Sequence, residues 1–546
     1  MGKKNNNQVK LDILKKTDIP VFVVINAYLA YLCTFYLVYM HDLYFDITFT
    51  RAKCFMYGTI SFIGLSGIVY FLIAYFRKTK GNYTIKDDHE FLFYKDFFTA
   101  SKSMLKSPFF WAFMLLLSNF LSFLACGSKK TAFTGEEGRR LGLCMFILIV
   151  AMFFIVAYKA YVHVIIYIVF VAVSYFMFYI AIVQHFGVDF GKWRAEIKKS
   201  QQTVFMSTIG NMNTFGGYLC IFIAISIAVF IFTDKFLLKA YSGTAVMLGA
   251  FTVMAAKSDN VYLGLGVAVV LLFYITVHYK KLVEWSFSVM LMSIGFFAMS
   301  ILNHVEKGNK GHLNGIAKII GNMKIMGTFM AASVIFLSVV LLIRYLKADL
   351  YEKIQCRKML IIVTVIGVLA VITVVILGIS SKHEYFVFND RWGEYRGFIW
   401  SRSVKAYGKG DGLVKVFGYG NESVRAVMKE NYYEEMITIP KKIYDSCHNI
   451  LLQQLLTTGI FGLITYLGFF ISSMVCMVKN MKGNPEVAAC AAACAAHVAQ
   501  AMVNPEQPIV TPIFYVLLAL GVGLVRKQRI DEINYKTTTK KRRNMV

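Results

Sequence analysis

Two polar stretches bracket the interval 380–458. The first reads Asn389-Asp390-Arg391-Trp392-Gly393-Glu394-Tyr395-Arg396-Gly397-Phe398-Ile399-Trp400, and the second Asp445-Ser446-Cys447-His448-Asn449-Ile450-Leu451-Leu452-Gln453. Arginines at one end and a histidine at the other suit a reaction that neutralises a phosphate and moves a proton. A guanidinium binds phosphate oxygens through charge-assisted, often bidentate hydrogen bonds. An imidazole with an ordinary pKa of about 6.5 is mostly neutral at pH 7 and accepts a proton. Arg396 is the first candidate for the anion, with Arg391, Arg402 and Lys257 secondary; Asp390 and Glu394 are close enough in sequence to pair with Arg391 and Arg402 instead. His448 is the candidate base. It stands where a helix should begin, with Asp445 and Ser446 as expected N-caps. The positive end of that helix dipole would disfavour the imidazolium form.

These residues need a frame. Of the 546 residues, 57% are hydrophobic and only 16% charged, against about 25% charged in soluble domains. The chain therefore reads as a polytopic membrane protein. Apolar blocks long enough to span fall near 20–40, 54–76, 108–126, 141–158, 161–183, 215–233, 236–256, 260–277, 283–302, 326–345, 359–379, 459–478, 486–503 and 509–525, which makes about fourteen spans. The expected fold class is an all-α transmembrane helix bundle. It divides into a bundle over 1–379, a loop over 380–458, C-terminal helices over 459–525 and a basic tail over 526–546. The first block follows a basic start and reads as an uncleaved first span.

The formal charge is +27, from 58 Lys+Arg and 31 Asp+Glu. With the N-terminus in the cytoplasm, strict alternation puts the basic intervals 77–107, 280–281, 344–358 and the tail inside, as the positive-inside rule requires. The same alternation puts 184–214, 303–325 and 380–458 outside. The charge thus reads as orientation and contact with membrane lipids, not nucleic-acid binding, for which no module is present. The cysteines mostly lie within apolar blocks and follow no framework spacing. Cys490, Cys494 and His497 share one helix face, which reads as small and polar residues meeting a neighbouring helix, not as a metal site. No Asp-x-Asp, Walker glycine loop or zinc-spaced set occurs.

Within 380–458, Tyr395 to Tyr407 suits a helix that aligns Arg396, Trp400, Ser403 and Tyr407. Glu422 to Met436 suits a second, with Val424, Val427 and Met428 on one stripe. Glycines 408, 410, 412, 418 and 420 mark the turning connection.

The ordered pieces Arg396-Gly397-Phe398-Ile399-Trp400, Phe417-Gly418-Tyr419-Gly420, His448-Asn449-Ile450-Leu451-Leu452-Gln453 and Thr458-Gly459-Ile460-Phe461-Gly462-Leu463 resemble the O-antigen ligase and polysaccharide polymerase family. Upstream, Gly210-Asn211-Met212-Asn213 looks like the family's Asn-Pro-Asn entry to a helix, with Met212 for the proline. The resemblance covers about residues 205–525. It implies a GT-C-like glycosyltransferase that takes a glycan from undecaprenyl diphosphate to an acceptor glycan, lipid or protein outside the cytoplasmic membrane, by an inverting route without metal or other cofactor. Arg396 and His448 would be catalytic. Arg391, Arg402, Lys257, Trp400, Asn449, Gln453 and Asn213 would bind substrate. One departure is that Lys257-Ser258-Asp259-Asn260 replaces the family's Ser-Arg-Gly, so Asp259 stands at the arginine position. Either Lys257 substitutes, without the bidentate fork, or that phosphate contact is absent.

A lipid-linked-glycan transporter is the competing class. It should carry ionisable residues or broken helices near the midplane. The spans here are nearly free of charge, and the polar residues are concentrated in one loop.

Overall fold

A computed structural model describes residues 6–81, 104–199, 201–305, 315–383, 386–481 and 484–543. Lys86, Lys95 and Lys102 of the expected basic interval, and His312, lie outside the described residues. The architecture is an all-α polytopic bundle, with, among the described residues, one two-stranded hairpin pairing Phe205–Met206 with Gly210–Asn211. Each of the fourteen apolar blocks lies on a helix. Among the described residues, eleven of these helices are long and apolar enough to cross a membrane.

Three blocks depart from the simple reading. Leu143–Tyr158 has 16 residues and Pro485–Ala501 has 17, the latter about 26 Å at 1.5 Å per residue against a hydrocarbon thickness of about 30 Å. Pro485–Ala501 is also buried along most of its length, with Ala491, Ala492, Ala493, Cys494 and Ala496 fully enclosed. It is a core helix rather than a lipid-facing one. Thr511–Arg543 carries its apolar block into the basic tail as one helix.

The bundle is built around Met212–Phe232, which is 89% buried over its span. It packs on Pro485–Ala501, Phe236–Ala256 and Asn260–His278. Small residues permit the approach, because lipid provides no hydrophobic drive between helices and close packing must supply it. A side chain at Gly217 would press on Gln500, and one at Gly264 on Cys220 and the Ala496 carbonyl. By contrast, Arg357–Ser380 stands off the bundle with none of its span buried.

The links at one end of the bundle carry the polar contacts. The intervals 184–214, 303–325 and 380–458 meet there with the short links 127–140, 257–259 and 502–508. Asn213 accepts from Ser258 at 2.7 Å, Asp259 from the Ile316 amide at 2.9 Å, and Glu422 from Arg139 at 3.1 Å. Thr214 donates to Gln507 at 2.7 Å. At the opposite end Lys281 pairs with Asp234 at 3.3 Å, Lys280 with Glu352, and Arg526 donates to the Tyr158 carbonyl.

Over 386–449 the chain forms a cap with its own core. Trp392–Lys409, Gly412–Phe417 and Val424–Thr438 are its helices. Phe398, Ile399, Val424, Val427, Met428, Met436, Tyr444, Cys447 and Leu456 bury one another. The stripe read from the sequence is thus the cap's core face. The Gly-x-Gly pair docks the cap on the bundle. Tyr419 and Gly420 amides donate to the Leu456 and Thr457 carbonyls at 3.0 and 2.9 Å. Gly418 is left-handed (φ 75), and a Cβ there would collide with the Thr457 backbone. Opposite it, Gly459 (φ 69) breaks the helix Ile450–Asn480 where the Val416 carbonyl approaches. Only glycine meets both conditions at either place.

Candidate functional site

Arg396 begins the regular part of its helix. The three residues before it, Gly393, Glu394 and Tyr395, are all left-handed (φ 57, 58 and 68). Such backbone is unfavourable for Glu and Tyr and persists only where the surroundings impose it. Here it folds the chain back so that Arg396 Nη1 donates to the Gly393 carbonyl at 2.7 Å. Nε donates to the Val503 carbonyl at 2.6 Å, across from the cap to the turn after Pro485–Ala501. Two of three guanidinium nitrogens are held by backbone, and Nη2 has no hydrogen-bond partner among the described residues. Burial draws the guanidinium below its ordinary pKa, while Glu394, Asp259 and Tyr444 oppose that shift. An arginine remains charged under such a balance.

His448 precedes the helix Ile450–Asn480 with φ 50, a conformation rare for histidine. Its amide donates to Ser446 Oγ at 3.0 Å, and its Nδ1 lies 3.2 Å from the Ser446 carbonyl. A carbonyl only accepts, so Nδ1 carries the hydrogen and Nε2 the lone pair. Burial, helped by the Arg396 charge, pushes the imidazole pKa down to about 4. The ring is therefore neutral at pH 7, with Nε2 available to a proton.

Arg396 and His448 lie at the same end of the bundle, and the charge of the first acts on the second. Tyr444 links them. Its ring stands edge-on to His448 at 5.6 Å between centroids, stacks near Phe398, and feels the Arg396 charge. Sequence reading missed Tyr444, because an aromatic four residues before His448 carries no signal of its own.

The expected caps Asp445 and Ser446 do not cap this helix. Asn449 is its N-cap, accepting from the amides of Leu451 and Leu452 at 3.0 and 3.1 Å. The left-handed turn at His448 delays helix entry by one residue. Gln453 is also committed: its Oε1 accepts from the Cys447 amide at 3.0 Å, bracing the loop that carries His448. Asn449 and Gln453 thus hold the His448 loop in place, and the bonds shown engage the oxygens they would have offered to a substrate.

The other expected residues separate. Arg402 is held by both oxygens of Asp390 (2.6 and 2.9 Å) and by Glu435 at 2.8 Å, over the Phe398 ring. Two carboxylates neutralise it and leave no charge for a phosphate. Arg391 is exposed on the cap surface. Trp400 joins Phe388 and Trp392 in an aromatic cluster, and its buried Nε1 lacks a partner. Of the described helix face, Ser403 reaches Cys447 at 3.3 Å, whereas Tyr407 turns to the Lys415 carbonyl.

Asn211 caps Met212–Phe232, and Asn213 accepts from Ser258, whose hydroxyl also meets Asn260. The Asn211-Met212-Asn213 turn is therefore locked to the 257–260 link. Lys257 is left-handed (φ 50) and its ammonium is pulled down by burial, with Arg194 adding to the shift. Asp259 interacts with Arg396. At the position where the resembled family has arginine, this chain places a carboxylate that attracts the candidate anion-binding cation.

A buried polar set behind the His448 loop was not foreseen. Arg139 pairs with Glu422 at 3.1 Å, both nearly fully enclosed. Glu506 lies beside them, its carboxyl pushed up to about 7 by burial. The signal was there in hindsight: Glu506 in Asn504-Pro505-Glu506-Gln507-Pro508 and Arg139 are charges in short links between apolar blocks.

Comparison with known proteins follows this geometry closely. No curated protein matches the chain. The family model described as O-Antigen ligase matches residues 325–467, the stretch that contains the stand-off helix, the cap, Arg396 and His448. Over this stretch the chain is similar to the O-antigen ligase family.

Proposed function

We propose that the protein transfers a glycan from undecaprenyl diphosphate to an acceptor hydroxyl on the outer face of the cytoplasmic membrane. The acceptor oxygen attacks the anomeric carbon as the bond to the diphosphate oxygen breaks, with inversion in one displacement. The hydroxyl proton passes to His448 Nε2, and the electron pair leaves with the diphosphate. Arg396 stabilises that developing charge through Nη2, the guanidinium nitrogen that its two backbone bonds do not engage. The cation is supplied by the chain, so this route calls on no metal.

The observation that carries the reading is the approach of His448 Nδ1 to the Ser446 carbonyl at 3.2 Å, from which the tautomer follows. Nδ1–H is committed to Ser446, which leaves Nε2 as a base in the field of Arg396. A pKa of about 4 makes a weak base. Arrival of a diphosphate beside Arg396 offsets the guanidinium charge and raises the proton affinity of the ring where the proton is released. The distribution of basic residues supports the outer face: Lys280, Lys281, Lys353, Arg526 and Arg529 lie at the end of the bundle opposite the cap.

Purified protein given lipid-linked glycan alone, then with added acceptors, tests the reading. Long products without a second acceptor identify a polymerase, and products only with an added acceptor identify a ligase. No product, with glycan lipid crossing a vesicle bilayer, would overturn transfer in favour of transport.

A further inference from the structure

Arg396 and His448 sit on different segments, so something must set their separation. Arg396 is pinned to the carbonyl of Val503, in the turn between Pro485–Ala501 and Thr511–Arg543. His448 is braced by Gln453 through the Cys447 amide. Arg139, from the link between Pro108–Ala125 and Leu143–Tyr158, places its charge between the two segments. It pairs with Glu422, which follows the Gly-x-Gly docking strip. Its charge also acts on Asp445, Glu506 and Cys447. The neighbouring Gly138 lies against the Asp445 carboxylate so closely that a Cβ would touch it.

Arg139, Glu422, Glu506 and Gln453 line one small cavity of about 20 Å³, completed by Asn119 and Asn421 among others. Arg139 Nη1, Glu506 Oε1 and Asn421 Nδ2 are buried atoms with no hydrogen-bond partner among the described residues. Two donors and an acceptor around a space of one-water size describe a site that a single water would satisfy. A buried ion pair with unmet groups seldom improves stability over an apolar filling, so its presence needs another reason.

We propose that Arg139 is a positioning residue for the transfer reaction, holding the 502–508 turn under Arg396 and the 444–449 loop under His448 at a fixed separation through Glu506 and Glu422. The inference rests on the transfer reading above. Arg139 touches neither reacting atom. Its effect is exerted through Val503 on one side and through Cys447 and Gln453 on the other.

The test pairs a kinetic with a chemical readout on the full-length protein in detergent or vesicles. Arg139→Gln should lower kcat about tenfold or more, as displacement by a fraction of an ångström to 1 Å does, while KM for the lipid-linked glycan stays within about threefold. Arg139→Lys should recover only part of the loss, because an ammonium keeps the charge but not the planar guanidinium that meets both oxygens of Glu422 and lines the cavity. Carbethoxylation of His448 relative to exposed His41, read by mass spectrometry, should rise severalfold in Arg139→Gln. Glu506→Gln, which keeps the shape and removes a charge, should move both readouts in the same direction by less, and serves if Arg139→Gln does not fold. Unchanged kcat and unchanged His448 labelling in a folded variant would overturn the proposal. The labelling does not require turnover. If the wild type fails to transfer yet His448 labelling responds to Arg139→Gln, positioning stands and the transfer reading falls.

Discussion

Arg396 Nε donates to the carbonyl of Val503 at 2.6 Å, joining the cap to a turn 107 residues further along the chain. With the second bond to Gly393, it fixes the plane of the guanidinium and the edge that remains open. A cation so oriented suits an anion that arrives from one direction.

Replacement of Arg396 by lysine should therefore impair transfer despite keeping the charge. An ammonium cannot hold Val503 and Gly393 and still present two donors to a diphosphate. A fall of at least about tenfold in kcat/KM, with normal membrane insertion, is expected from steady-state assays. Full activity would mark Arg396 as structural.

His448→Ala should lower transfer at least about 10²-fold, the low end for a lost general base. His448 has φ 50, so His448→Gly should unfold at a slightly higher temperature than His448→Ala while being equally inactive. Near-normal turnover by either variant would remove the assigned base.

The pH profile follows from the depressed imidazole pKa. His448 must be neutral to act, and its folded-state pKa is about 4 instead of 6.5. The acid limb of kcat/KM, which reports free enzyme, should bend near pH 4 to 5 and not near 6.5. Since the unfolded chain binds this proton more readily, stability from this group is present above about pH 6.5 and lost as pH falls towards 4. An inflection at 6.5 would mean that His448 is solvated in the free enzyme.

Glu506 behaves oppositely. Its folded-state pKa of about 7 lies above the ordinary 4.5, so the folded state holds the proton longer than the unfolded one. Its contribution is complete below about pH 4.5 and is lost as pH rises through 7. Glu506→Gln should thus gain thermal stability relative to wild type between pH 6 and pH 8. A constant difference in melting temperature across that range would refute the assignment.

Asn449→Ala should cost about 1 kcal/mol, as loss of a helix N-cap does, and should loosen the base held one residue earlier. Thermal unfolding and turnover are then expected to fall together, whereas Asn449→Ser, an effective cap, should recover most of both. Loss of donor affinity alone, with stability unchanged, would return Asn449 to a substrate-binding role.

Much of the frame was legible in the sequence. A helix in lipid satisfies every backbone group internally, so long apolar blocks must be helical wherever they pack. All fourteen blocks are. The cap's two main helices were readable from the spacing of Arg396, Trp400, Ser403 and Tyr407 and of Val424, Val427 and Met428, because a helix repeats a face every 3.6 residues. The glycines of Gly418-Tyr419-Gly420 and Gly459 were visible as motifs, though their reason was not. They meet backbone from 457 and 416, and no local pattern encodes a contact between segments 40 residues apart.

Hydrogen-bond commitments were decided only by the tertiary structure. Arg396 and Arg402 lie six residues apart with the same side chain. One faces two backbone carbonyls and keeps an open edge, while the other is closed by Asp390 and Glu435. Asn449 and Gln453 read as substrate ligands beside a histidine, yet their oxygens are taken by backbone amides. Arg139 and Glu506 stood out as charges in short links, but their meeting was not legible, since contact across 283 or more residues depends on which links the bundle brings to one end. Residue type and order determined which chemistry this chain can perform. The packing of its links determined which of the eligible side chains are left free to perform it.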